Sequence, residues 1–383
     1  MPSRNKATIG TTLTLQSKIL GEERSYAVHL PASYARAGNA ERRYPVIYVL
    51  DGESLFSTAT SIVEFLSGGS NGNFAIPDSI VVGISNTDRL RDFTPTVSLD
   101  GPGGRHHPGW KNSGGAGAFI RFLAQELVPE IDREFRTMPY RTIVGHSLGG
   151  LLAIEALQAM PKLFNATIAI DASLWWDDAV LVRRAAIARP PIDPHQRIFL
   201  AHANLPEVAS LPVAIYRDHG DAIRAYAALL DADPALSGRF KFAYFEDEDH
   251  GSIPLIALYA GLRFIFAGFK MSGEAAINHP EQIGPHFARI SEALGATFLP
   301  PEAMVDGAGY YALGDVADVD AAIALFSLNV ANYPTSPGAH VGLGKALERK
   351  GDIAAAIASY RRALELDAEN AHAQDLLTTL TAN

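Results

Sequence analysis

Ser147 lies in Gly145-His146-Ser147-Leu148-Gly149, between the apolar run Thr142-Ile143-Val144 and a helix-like run that begins at Leu151. A strand, a sharp turn and a helix in that order push a serine hydroxyl out of the chain, and glycines flank the turn because a Cβ there would strike its neighbours. A second match, Gly68-Gly69-Ser70-Asn71-Gly72, follows the helix-like stretch 61–66 with no strand before it, so Ser70 reads as loop. A serine hydroxyl is a weak nucleophile near neutrality and needs a base in contact. Of the 12 histidines, His250 is best placed, just past the last strand-like run and before a helix. His279, His286, His340 and His372 fall in the helical tail, and His106 and His107 in a glycine-rich loop. His146 is fixed beside Ser147, so its side chain should point elsewhere. A carboxylate must then orient the base. Glu207 is the first choice, because it follows the strand-like run 198–201. Asp171, Asp218 and Asp221 stay open, whereas the charge run 246–249 reads as a solvated face. Acyl transfer also needs two N–H donors for the oxyanion. Leu148, after the nucleophile, supplies one, and Glu53, in the turn Asp51-Gly52-Glu53, the other.

The elements that must hold these groups are short and apolar. Residues 8–30 alternate in two runs and read as an antiparallel pair. The runs 45–50, 80–84, 142–144, 166–170 and 198–201 are continuously apolar, as in strands buried on both faces. The aromatic run 240–245 carries one charge and reads as a strand nearer the edge. Helical stretches lie between them. Phe119, Leu123, Leu127, Ile131 and Phe135 recur every fourth residue, and 151–160, 222–230 and 253–266 read as further helices. Strands alternating with helices imply an α/β fold, a mostly parallel sheet with helices on both faces. The glycine-rich stretch 98–117 is a loop over it.

Past residue 272 the pattern is helical and repeats. Ala322-Ile323-Ala324 precedes Ala356-Ile357-Ala358 by 34 residues, and Phe326 matches Tyr360 at the same offset. That period is the tetratricopeptide signature and implies a small all-α domain. The first repeat is degenerate, with Tyr310 where a small residue is expected and Asn329 where alanine is usual. The expected organisation is 1–272 for the α/β domain, 273–300 for a linker helix and 301–383 for the repeats. Two repeats are too few to bury their own faces. A helix over 280–294 should therefore stack on the first repeat, and the remaining apolar face should dock on the α/β domain or on a second chain.

Composition narrows the partners. The net charge of −10 argues against nucleic acid and anionic membrane surfaces. No cysteine is present, which excludes disulfides, thiolate chemistry and Cys-ligated metal. No apolar run is long enough to span a membrane, and the first residues lack the apolar core of a signal peptide. That reads as cytoplasmic by default, or as periplasmic or secreted if a leader has been removed.

The residues also carry a family resemblance, in 44–52, 145–150, 173–177 and 249–252. They resemble the esterase branch of the α/β hydrolases that includes S-formylglutathione hydrolase-like esterases, enterobactin-type siderophore esterases and mycolyltransferases. The likeness spans about residues 8–271. It implies a Ser–acid–His serine esterase that needs no metal or other cofactor, and it supports Glu53 as an oxyanion donor. Ile170-Asp171-Ala172-Ser173 departs from the family's Ser-Pro, which keeps Asp171 in contention. Ala201-His202-Ala203-Asn204 lacks the glycine often seen before the acid. The expected activity is hydrolysis of a small-molecule carboxylic ester through an acyl-enzyme. The alternatives are an acyltransferase using the same acyl-enzyme, and a non-catalytic scaffold whose helical tail binds a protein partner or forms a homodimer. Trp175 and Trp176 are candidates to line an acyl or aromatic pocket, or to fill the core.

Overall fold

The computed structural model describes residues 9–36, 38–68, 72–188, 192–204 and 213–382. The chain divides into two compact units. The first, formed by 1–30, 44–64 and 79–267, is built on one eight-stranded sheet. Its strands are β1 Thr11–Gln16, β2 Glu23–His29, β3 Tyr44–Leu50, β4 Ile80–Ile84, β5 Thr137–His146, β6 Ala166–Ile170, β7 Arg197–Ala203 and β8 Phe240–Phe245. Their spatial order is β1-β2-β4-β3-β5-β6-β7-β8. The alternating runs make the antiparallel strands β1 and β2, and β2 meets β4 antiparallel. Every other pairing is parallel. The continuously apolar runs form the centre: every residue of β3, β4 and β6 is buried. β8 lies at the edge and leaves Tyr244 exposed, as its charge suggested.

The four-residue recurrence from Phe119 to Ile131 has a structural counterpart. An ideal helix of 3.6 residues per turn would carry such a stripe steadily off one face. Here the helix widens into a π-type turn over Leu123–Leu127, between α-helical segments Ala116–Phe122 and Val128–Glu134. The wider turn resets the phase, and Phe119, Leu123, Leu127 and Ile131 are all fully buried.

The second unit joins 268–383 to two segments from far earlier in the chain, 31–43 and 65–78. Arg42 pairs with Asp78 at 2.9 Å, and Ser33 donates to the same carboxylate at 2.7 Å. Thr335 Oγ1 donates to the Gly38 carbonyl at 2.5 Å, and the Arg42 guanidinium lies 5.6 Å from the Tyr333 ring centre. The repeats are the helices Glu302–Tyr311 with Val319–Asn332, then Pro337–Lys350 with Ile353–Leu366, followed by Ala371–Thr381. Small residues let large rings in. A Cβ on Gly342 would meet Phe326 at 2.5 Å, and one on Gly344 would meet Tyr360 at 2.4 Å. The degenerate positions also have structural causes. Asn329 is buried and donates to the Glu302 carbonyl at 3.1 Å, while Tyr310 sits edge-on to Phe326. The helix expected over 280–294 runs from Ile283 to Leu294 after a 3-10 turn opened by Pro280, and Phe287 packs edge-on against Phe269.

Asp306 gives this unit a pH dependence. Burial, and next the neighbouring Glu302 carboxylate, push it up to about 6. The unfolded carboxyl ionises near pH 4. The folded state therefore binds the proton more tightly, and the cost of ionised Asp306 grows from about pH 4 to about pH 6 and is full above that. Asp306→Asn is expected to raise the unfolding temperature at pH 8. The advantage should shrink as pH falls through about 6. Thermal unfolding at several pH values checks this, and an advantage independent of pH would contradict it.

Candidate active site

The site lies where adjacent parallel strands end, the place where open α/β sheets gather their reactive groups. Ser147 follows β5, Asp171 follows β6, and His250 lies beyond β8. The turn at Ser147 is as tight as the motif requires, with φ 59° and ψ −118°. A Cβ on Gly145 would fall 2.1 Å from the Gly149 carbonyl oxygen, so no side chain fits there. Backbone strain collects at these strand ends. Asp51, Ser147 and Asp171 are non-glycine residues in the left-handed region, at φ 55°, 59° and 42°. Each such residue costs on the order of 1–3 kcal/mol and persists only where its surroundings force it.

Three side chains stand in line. His250 Nε2 is 3.1 Å from Ser147 Oγ, and His250 Nδ1 is 2.5 Å from Asp171 Oδ2. Ser173 Oγ lies 3.3 Å from Ser147 Oγ, and the Ser173 N–H bonds the Ser147 carbonyl at 3.0 Å. Asp171 is fully buried. Burial alone would raise its pKa, but the imidazoles of His202, His219 and His250 outweigh it and hold the carboxyl well below the usual range. His146 lies with its ring centre 4.5 Å from that of His250. Burial, and next the proximity of His250, push the His146 imidazole down to about 4, so it brings no positive charge beside the serine at neutral pH.

The structure brings together Ser147 and His250 and puts Asp171 against His250. Glu207 and Ser70 lie outside the described residues. The two other open carboxylates are engaged elsewhere. Asp218 accepts from the Gly103 N–H at 2.9 Å, and Asp221 pairs with Arg224 at 2.8 Å. Asp249 accepts from the Gly251 and Ser252 N–H groups and so shapes the turn that carries His250. The sequence reading missed His202 and His219. His202 was legible as an imidazole directly after the apolar run 198–201.

Two backbone turns face the elbow end of the sheet. The helix Gly52–Ser67 makes its first bonds from the Ser54 and Leu55 N–H groups to the Asp51 carbonyl. The N–H of Glu53 precedes these bonds and has no partner within the helix. Gly52 is required by space, since a Cβ would meet the Gly83 backbone at 2.6 Å. The helix Leu148–Ala159 likewise opens with the Leu148 N–H ahead of the first bond, Leu151 to Ser147. Arg89 ties the two turns together. It grips Asp51 with two bonds, of 2.6 and 2.9 Å, and donates to the His146 carbonyl at 3.2 Å. Beside the site, Trp176 is fully buried and donates to the Thr96 carbonyl, whereas Trp175 is half-buried. Trp110 stacks on Trp176 with ring centres 5.2 Å apart.

Asp171, His219 and His250 present ligand atoms within 4.8 Å of one another. A cation there would compete for the His250 nitrogen that faces Asp171. Among the described residues no helix is long and apolar enough to cross a membrane.

A family model described as "Putative esterase" matches residues 17–215, just over half of the chain. The chain belongs to this esterase family. A tetratricopeptide-repeat model matches residues 337–370, the second of the two repeats. Among solved structures, an IroE-like serine hydrolase from Shewanella oneidensis is 33% identical, with a TM-score of 0.72 over 84% of this chain and 99% of that one. The ferri-bacillibactin esterase BesA of Bacillus subtilis is 34% identical over 46% of this chain and 62% of its own length. The siderophore enterobactin esterase of Emericella nidulans is 30% identical over 41% of this chain and 56% of its own. The chain thus spans about three fifths of the length of these curated esterase relatives.

Proposed function

We propose that the protein is a serine esterase that cleaves carboxylic esters through an acyl-enzyme, with Ser147 as nucleophile, His250 as base and Asp171, in place of Glu207, as acid. One observation carries the reading: the unbroken run of contacts from Ser147 Oγ through both nitrogens of His250 to a buried carboxylate. Ser147 Oγ attacks the ester carbonyl carbon while His250 Nε2 takes its proton. The carbonyl oxygen becomes an oxyanion held by the N–H groups of Leu148 and Glu53, which Arg89 keeps in register. Collapse expels the alcohol, which leaves with the proton from Nε2. Water then repeats the sequence on acyl-Ser147 and releases the acid. Asp171 stabilises the imidazolium formed in each half and keeps the Nδ1 proton in place. Passing the acyl group to an alcohol instead of water would make the enzyme an acyltransferase.

The relatives support a substrate class: two are named siderophore esterases and a third a ferri-bacillibactin esterase. We assign this chain a siderophore ester, with the half-buried Trp175 beside Ser173 as a surface for its acyl part. The test is a fluorophosphonate probe together with a panel of p-nitrophenyl esters and siderophore lactones, iron-free and ferric. Labelling at Ser147 and turnover of the lactones are expected. No labelling would favour a scaffold in which the helical repeats bind a partner. Labelling without lactone turnover would leave an esterase of another substrate class.

Catalysis needs His250 neutral, so kcat/KM should rise with pH as one group loses its proton. A profile flat from about pH 5 to about pH 8 contradicts a histidine base.

A further inference from the structure

Asp171 is held by more than the histidine it serves. Its Oδ1 accepts from His202 Nδ1 at 2.9 Å and from the Ala203 N–H at 3.0 Å. Its Oδ2 faces His250 Nδ1 at 2.5 Å, and His219 Nε2 stands 3.1 Å away. With Oδ1 occupied from β7, Oδ2 is the oxygen left for His250.

The far side of the His202 ring decides its protonation. Arg224 Nη1 lies 3.3 Å from His202 Nε2. A guanidinium donates and never accepts, so Nε2 must be the bare, accepting nitrogen. The ring's single proton is then on Nδ1, the form that donates to Asp171. Packing supports the arrangement. A Cβ on Gly220 would lie 2.9 and 3.0 Å from the Arg224 terminal nitrogens and 3.1 Å from His202 Nε2, so a side chain there would crowd the contact. His202 and Asp171 are both buried, whereas the Arg224 side chain is half exposed and reaches the ring from the solvent side.

We propose that His202, fixed as its Nδ1–H form by Arg224, is a positioning residue that keeps Asp171 aimed at His250. The inference rests on the reading of Asp171 as the acid of the site. Small displacements of a catalytic group cost about 10²-fold in rate, so a defect should appear in kcat rather than KM.

The test compares two amides at one position in the full chain, with a p-nitrophenyl ester as substrate. The asparagine amide nitrogen reaches where Nδ1 stands, and that of glutamine reaches where Nε2 stands. His202→Gln should lower kcat about 10²-fold with KM unchanged. His202→Asn should retain most of the wild-type kcat. Arg224→Met, altered on the exposed side, should give a smaller kcat loss and an unchanged unfolding temperature. It carries the test if His202→Gln fails to fold. Equal kcat in His202→Asn and His202→Gln overturns the proposal, as does wild-type kcat in Arg224→Met. Asp171→Asn, run in parallel, separates the two readings. Wild-type kcat there removes the acid assignment and this inference with it. An inactive Asp171→Asn beside a fully active His202→Gln removes only this inference.

Discussion

Ser147→Ala is expected to lower kcat about 10⁴- to 10⁶-fold and to abolish fluorophosphonate labelling. The left-handed turn at Ser147 comes from its surroundings, including the Ser147 N–H bond to the Ile170 carbonyl and the Ser173 N–H bond to the Ser147 carbonyl, both 3.0 Å. Alanine keeps those backbone bonds and loses only the hydroxyl. The unfolding temperature should therefore hold while turnover collapses. Ser70→Ala should leave kcat where it was, because the sequence before Ser70 reads as helix rather than strand. Residual wild-type turnover in Ser147→Ala, measured by stopped assay on an activated ester, would remove the nucleophile assignment.

The second large effect is expected at the acid. Asp171→Asn should cost about 10⁴-fold in kcat, the scale seen when a buried triad carboxylate becomes an amide. An amide offers one accepting atom where the carboxylate offers two. Three imidazole nitrogens and one backbone N–H converge on Asp171. At least one imidazole must then face the amide NH₂ and give up its Nδ1–H form. His250 cannot hold its proton toward position 171 and keep Nε2 bare for Ser147 if that exchange falls on it. Glu207→Gln should change kcat little. The reverse pattern, with Glu207→Gln inactive and Asp171→Asn active, would restore Glu207 as the acid.

The sheet was legible because a parallel strand buried on both faces cannot hide: it reads as an unbroken apolar run, as 166–170 and 80–84 do. The elbow was legible because glycine at 145 is demanded by space and the strand before it is demanded by the turn. The carboxylate that meets His250 was harder. Chain order points to the end of β7, and Glu207 follows that end. Asp171 sits instead one strand earlier, beside the serine's own strand. Sequence cannot show that a residue ending β6 turns left-handed at φ 42° and so points toward His250 rather than into solvent. The surrounding imidazoles were the available signal. His202 directly follows the apolar run 198–201, and a polar group buried there must have a partner. The π-type turn at 123–127 was present in the strict four-residue spacing, but the same spacing also fits a gently drifting α-helix.

The helical unit draws on residues 31–43 and 65–78 as well as on 268–383. The bond from Thr335 to Gly38 closes a span of 297 residues. During synthesis the early segments leave the ribosome long before the helices they join. The strands of the sheet are all made first, so these two stretches, though Arg42 and Ser33 can already meet Asp78, must wait for their contacts with the repeats. Closing so long a loop adds little equilibrium cost, because closure entropy grows only with the logarithm of length. The penalty falls on time: a nascent chain paused before residue 335 holds the Gly38 carbonyl without its Thr335 partner.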